Sequence, residues 1–164
     1  CDADKDIVFI LDASASVGPD NFEILLKYVS SIIKDLTAFR HGHQFSLVTY
    51  STEAKTVFSF NRYSSREQII EAVETTTYSA GSTNTAGGLR EAIQLFQADF
   101  GDRPSAKNVA ILITDGQSNV NYWDTVPAGN DLKATGAKVI AVGINLEDFS
   151  EVNSIATSTR DVFT

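Results

Sequence analysis

The sequence predicts an α/β fold: a doubly wound, mostly parallel sheet with one antiparallel edge strand and helices on both faces. Three observations predict it. Apolar runs at 7–11, 109–113 and 139–144 are short, rich in β-branched residues and free of clean alternation, as strands buried on both faces are. Residues 45–50 and 55–60 alternate better and are separated only by residues 51–54, which reads as an antiparallel hairpin near one sheet edge. Helical patterns fall between the runs, and strands alternating with helices give a doubly wound sheet.

Each helical element has its own justification. Phe22, Leu25, Leu26, Val29, Ile32, Ile33 and Leu36 recur at spacings of three and four, and Pro19 suits the first turn of the long helix they mark. Residues 66–73 place Ile69, Ile70 and Val73 on one side. Residues 85–100 carry Leu89, Ala92, Ile93 and Phe96, and residues 149–156 carry Phe149, Val152 and Ile155. A weaker helix is read at 131–135, ended by Gly136.

Composition narrows the function classes. The 164 residues are read as a single domain, 1–164, and 43% hydrophobic with 21% charged residues argues against disorder. No apolar run approaches the roughly 20 residues of a transmembrane helix, so direct membrane insertion is not expected. The net charge of −8 disfavours nucleic acid, because an acidic surface repels phosphate. Cations, basic proteins and mineral surfaces remain open, beside the plain reading that acidity keeps the chain soluble. Cys1 is the only cysteine, either free or paired with a partner outside this segment, as an oxidising compartment would allow. No glycosylation sequon is present.

In doubly wound sheets ligands bind beyond the carboxyl ends of the strands. Three polar segments fall there. Asp12-Ala13-Ser14-Ala15-Ser16 follows the first run, Thr114-Asp115-Gly116 follows the second, and Gly81-Ser82-Thr83-Asn84-Thr85 precedes a helix. Each alone reads as an ordinary turn or helix cap. Together they bring two carboxylates and several hydroxyls to one sheet edge. All are hard oxygens with no Cys or His among them, which favours Mg²⁺, Ca²⁺ or Mn²⁺ over zinc, copper or iron. Two carboxylates leave the ion with net positive character, ready to accept one more from outside.

These segments closely resemble the metal-ion-dependent adhesion site of the von Willebrand factor type A domain family, which includes the integrin inserted domains. The family's Asp-x-Ser-x-Ser matches Asp12, Ser14 and Ser16. Its Thr in Gly-x-Thr-x-Thr matches Thr83, and its second Asp in Thr-Asp-Gly matches Asp115. The resemblance implies that Ser14, Ser16 and Thr83 hold the ion through hydroxyl oxygens. Asp12 and Asp115 would hold it directly or through water, while Asn84 and Gly116 shape the loops. It implies one Mg²⁺, with Mn²⁺ or Ca²⁺ as substitutes, and a partner Glu or Asp in the remaining position. It further implies a secreted, extracellular matrix adhesion module whose partner is collagen or another matrix protein. An alternative is a structural, biomineral-associated role with calcium or carbonate contact. Family members usually continue past a strand matching roughly 161–163 into a final helix, and the sequence stops at Thr164. Without that helix, apolar surface should be uncovered on one sheet face.

Other features are weaker. Arg62, Arg66, His41 and His43 read as solvated loop residues, and 40–43 lacks a third metal ligand. Asp2, Asp4 and Asp6 read as a solvated acidic end. Tyr122 and Trp123 either pack the loop after Thr-Asp-Gly or rim the ion as aromatic anchors. An enzyme is not expected. Ser14 and Ser16 lack a nucleophile elbow, and neither His lies at a strand end. The remote alternative, Mg²⁺-dependent phosphoryl transfer through Asp12, wants a second acid where Ser14 stands.

Overall fold

The computed structural model describes residues 3–164; Cys1 and Asp2, and the readings that fall on them, lie outside it. Its strands are β1 (Lys5–Asp12), β2 (Gln44–Tyr50), β3 (Ala54–Phe58), β4 (Lys107–Thr114), β5 (Lys138–Gly143) and β6 (Val162–Phe163). The helices are α1 (Pro19–Thr37), α2 (Arg66–Glu74), α3 (Thr85–Leu95), α4 (Tyr122–Ala134) and α5 (Ser150–Ile155). One sheet runs β3-β2-β1-β4-β5-β6, parallel throughout except for the β2–β3 pair. The predicted fold class is the observed one.

Period-two geometry sorts the strand residues onto two faces. Ile7, Phe9, Leu11, Phe45, Leu47, Val109 and Ile113 face α1 and α2. Val8, Ile10, Val48, Tyr50, Ala110, Leu112 and Val139 face α3 and α4. On the first face Ile111, Ile140, Val142 and Ile144 are only partly covered. No helix among the described residues is long and apolar enough to cross a membrane.

Two helices differ from the sequence expectation. The one expected to reach residue 100 ends at Leu95, and the chain closes in a separate 3₁₀ turn, Ala98–Phe100, before Gly101 takes a left-handed conformation (φ 94°). The weak helix at 131–135 is the tail of the thirteen-residue α4. Pro127 inside it removes a backbone hydrogen bond, and Gly129 weakens it further. Tertiary contacts overrule both. Thr125, Ala128, Gly129 and Leu132 are buried, and a Cβ on Gly129 would meet the Ile155 backbone at 3.2 Å. Arg90 of α3 holds Asp124 and Asp131 of α4 through hydrogen bonds of 2.6–2.9 Å. Packing, not propensity, makes this helix.

The amino-terminal acids also depart from expectation. Asp4 is half-exposed and pairs with Arg40 at 3.0 Å. Asp6, expected in solvent, is fully buried. Arg103 donates to it three times: from its backbone N–H to Oδ2 (2.8 Å), and from Nε and Nη2 to Oδ1 (2.9 and 2.7 Å). A buried carboxylate needs such compensation. His43, expected in a solvated loop, accepts the Lys5 N–H on Nδ1 (3.0 Å). Burial, then the charge of Lys5, lowers its pKa. R103L should leave Asp6 without a cationic partner and lower urea-unfolding stability by about 3 kcal/mol. D6N combined with R103L should lower it less, since no charge is then stranded.

Candidate metal centre

The site forms where β1 and β4 end side by side. Their parallel register sets Leu11 opposite Ile113, so the next residues of both strands emerge at one edge. Asp12 is fully buried there. Its Oδ1 accepts the Ser14 N–H (2.9 Å), and its Oδ2 accepts the Thr114 hydroxyl (2.8 Å). The first contact is the turn that Asp-x-Ser encodes. It swings Ser14 and Ser16 over the sheet edge, with their hydroxyl oxygens 3.2 Å apart. Ser16 then donates to Asp115 Oδ1 (3.0 Å), which closes the set.

The third segment arrives by backbone contacts. The Ala15 N–H donates to Gly81 O (2.9 Å) and the Asn84 N–H to Ser51 O (2.8 Å). Asn84 caps α3, its Oδ1 accepting the Gly87 N–H (2.9 Å), while its Nδ2 donates to Thr52 O (3.1 Å). Thr83, between these anchors, is buried. Its N–H donates to Asn119 Oδ1 (2.9 Å), and its carbonyl accepts the N–H groups of Asn119 (2.9 Å) and Val120 (3.2 Å). Thr83 is thereby locked to the loop after Asp115. Gly88 lets α3 approach closely: a Cβ there would meet the Tyr50 ring at 2.6 Å.

Sequence reasoning missed two supporting residues. The Tyr78 hydroxyl donates to Ser14 O (2.8 Å) and accepts the Gly18 N–H (3.2 Å). Its ring sits 5.3 Å from that of Phe22. Glu151 of α5 accepts the Ser118 N–H (3.0 Å) and the Ser118 hydroxyl (2.7 Å), tying down the loop beyond Asp115. Neither carries a spacing signal, because each meets its partner across tens of residues. Tyr122 and Trp123 are not packed in a loop. They open α4 and are 70% and 71% exposed.

The electrostatics distinguish this site from the other buried carboxylate of β1. Asp6 is matched by a guanidinium, whereas Asp12 meets only neutral donors. Among the described residues neither Asp12 nor Asp115 has a Lys, Arg or His ion-pair partner. Burial, and then the charge of Asp12, raise the Asp115 pKa. Burial, followed by the same charge, also pushes the Tyr50 hydroxyl well above its usual range, which keeps it protonated. Two carboxylates and the Ser14 and Ser16 hydroxyls with no internal cation, beside a Thr83 held through its main chain, fit a hard divalent ion. No group of three or more His, Cys, Asp or Glu side chains that could hold a metal occurs among the described residues, so this is not a carboxylate-rich calcium cage. Ser14 stands where phosphoryl transfer through Asp12 would need an acid.

The von Willebrand factor type A domain model matches residues 6–164. The chain belongs to that family. It is 34% identical to the human collagen alpha-1(XX) chain over 96% of its length, and 34% identical to human matrilin-1 over 93%. It is 27% identical to bovine cochlin over 98%. These relatives are extracellular matrix proteins. The chain spans only 12%, 30% and 28% of their respective lengths. Solved structures of proximal thread matrix protein 1 from the mussel byssus superpose over the whole chain and 43–44% of their own. One has a TM-score of 0.92 at 30% identity. Another, with a zinc-occupied adhesion-site motif, has a TM-score of 0.90 at 30% identity.

Y78F should remove the bridge between Ser14 and Gly18 at a stability cost of about 1 kcal/mol. It should also weaken divalent-cation binding, since Ser14 then loses a positional restraint. Thermal unfolding and calorimetric Mg²⁺ titration of the same variant measure the two effects.

Proposed function

We propose that the domain is a non-enzymatic, extracellular matrix adhesion module. It grips an acidic side chain of collagen or another matrix protein through one divalent cation. The carrying observation is Asp12, a fully buried carboxylate with only neutral donors, beside Asp115, whose pKa burial raises. Asp12, Ser14, Ser16, Thr83 and Asp115 are the residues that would hold the ion. Mg²⁺ is the first choice, because few acidic ligands and several neutral oxygens suit an ion that keeps part of its shell for other ligands. Bound there, the cation supplies a Lewis-acid position open to a carboxylate from outside. The zinc in a structural relative's motif supports a divalent ion at this place.

The chain's role in binding rests on its own residues. Asp12 and Thr114 keep the floor rigid, and the Ser14–Ser16 turn presents hydroxyls at its rim. The cross-ties to Thr83 keep the rim from rearranging when a partner arrives. Such preorganisation lowers the ordering cost of binding. Matrilin-1, cochlin and the collagen relative support a secreted matrix setting and protein partners.

T83A should lower Mg²⁺ affinity by at least about tenfold while changing unfolding stability by less than about 1 kcal/mol. Isothermal titration and chemical unfolding measure the pair of values. Retention on immobilised collagen or matrix extract should require Mg²⁺. EDTA and D115A should abolish it equally, and retention that survives both would overturn the ion-bridged reading.

A further inference from the structure

The loop tied to Thr83 leads directly into two exposed aromatic residues that the candidate ion residues do not use. Asn119 and Val120 are bonded to the Thr83 backbone, and Tyr122 follows three residues after Asn119. A chain advances about 3.3–3.6 Å per residue at most, so Tyr122 starts within roughly 11 Å of that anchor. Asn121 takes a left-handed conformation (φ 51°) and turns the chain into α4. The first two helical residues, Tyr122 and Trp123, then stand in solvent, with Val126 of the next turn 39% exposed. The helix that carries these residues is tied to α3. Arg90 donates twice to Asp124 at 2.6 Å and once to Asp131 at 2.9 Å. Rigid, exposed Tyr and Trp residues are the side chains that dominate binding energy at interfaces.

The charge around these rings selects their occupant. Arg90 serves two carboxylates, so this trio, which includes Asp124 next to Trp123 in the chain, carries one net negative charge. The whole chain carries −8. Aromatic faces are themselves electron-rich and attract cations. We propose that Tyr122 and Trp123 form a second anchor for the partner, receiving a Lys or Arg side chain within about four residues of the acid that meets the ion. The inference rests on the ion-bridged reading and deepens it: the partner segment carries both charges, acid to the cation and base to the rings.

The test uses the full chain in saturating Mg²⁺ and end-blocked Gly/Ser peptides, followed by NMR titration. One peptide carries a single Glu. A second set adds Arg one to four residues away on either side, and a third replaces that Arg with Leu. At least one Glu/Arg peptide should bind about three- to tenfold tighter than the Glu peptide. Added salt should diminish the gain, and W123A, with unchanged Mg²⁺ affinity, should lose it. Trp123 is the only tryptophan, so its emission should also respond to the Arg peptides. An Arg gain absent at every spacing, equalled by Leu, or retained in the W123A and Y122A/W123A variants overturns the second anchor alone. Glu-peptide binding that is absent or indifferent to EDTA overturns the ion bridge, and the anchor with it.

Discussion

The hydrogen bond from the Thr114 hydroxyl to Asp12 Oδ2, 2.8 Å long and fully buried, joins the ends of the two central strands. It exists because β1 and β4 are parallel neighbours in register, although residues 12 and 114 lie far apart in the chain. From β1 the connections run one way to β2 and β3, and from β4 the other way to β5 and β6. The strand order therefore reverses between β1 and β4. Loops leave this boundary in opposite directions and open a crevice. The Ser14–Ser16 turn lies on one side of the bond and Asp115 on the other, and the Ser16–Asp115 contact spans the gap. Slipping either strand by one residue would send Asp12 or Thr114 to the wrong face.

β1 carries a buried carboxylate at each pole, and the two are solved differently. Asp6 receives a guanidinium from the segment before β4, so its charge is answered inside the fold. Gln44 adds donation to Asp6 Oδ1 at 3.2 Å once its amide is oriented to its neighbours. Asp12 receives a backbone N–H and a hydroxyl, which orient a carboxylate without neutralising it. Burying acidic charge with neutral donors alone is costly unless a cation is expected from outside. The amino pole is thus a structural clasp, and the carboxyl pole is a socket.

The residues that meet at the carboxyl pole were easier to pick out in the sequence than the clasp, for a physical reason. The candidate ligands follow strand ends in compact local patterns: Asp12, Ser14 and Ser16 lie within five residues, and Asp115 directly follows Thr114. The clasp needs Asp6 to meet Arg103, a pairing 97 residues apart with no local mark. Three alternating acids at a chain start look like a solvated end, and burial of one of them depends wholly on the sheet. The central strands were legible because β-branched runs have no other stable home. Of α4 only the tail at 131–135 was legible, because its first turns hold Pro127 and Gly129 and draw their support from Arg90 and Ile155 of other elements. Tyr78 and Glu151 were invisible for the same reason: each acts on the site through one long-range hydrogen bond or two.

This division of labour bears on how a partner is chosen. Each ion-site segment is tied to its neighbour through the main chain: Ala13 to Tyr50, Ala15 to Gly81, Asn84 to Ser51, and Thr83 to Asn119 and Val120. Main-chain ties hold whatever side chains vary around them, so they would preserve the proposed ion site, which any accessible carboxylate could complete. A lone carboxylate is too common on protein surfaces to discriminate among partners. Discrimination then falls to side chains that are exposed, rigidly based and free of duties in the socket. Tyr122 and Trp123 meet all three conditions. They stand in solvent on a helix fixed by Arg90, and no hydrogen bond of the ion site passes through their side chains. Exposed aromatics normally cost solubility, and under the second-anchor proposal the partner would cover Tyr122 and Trp123.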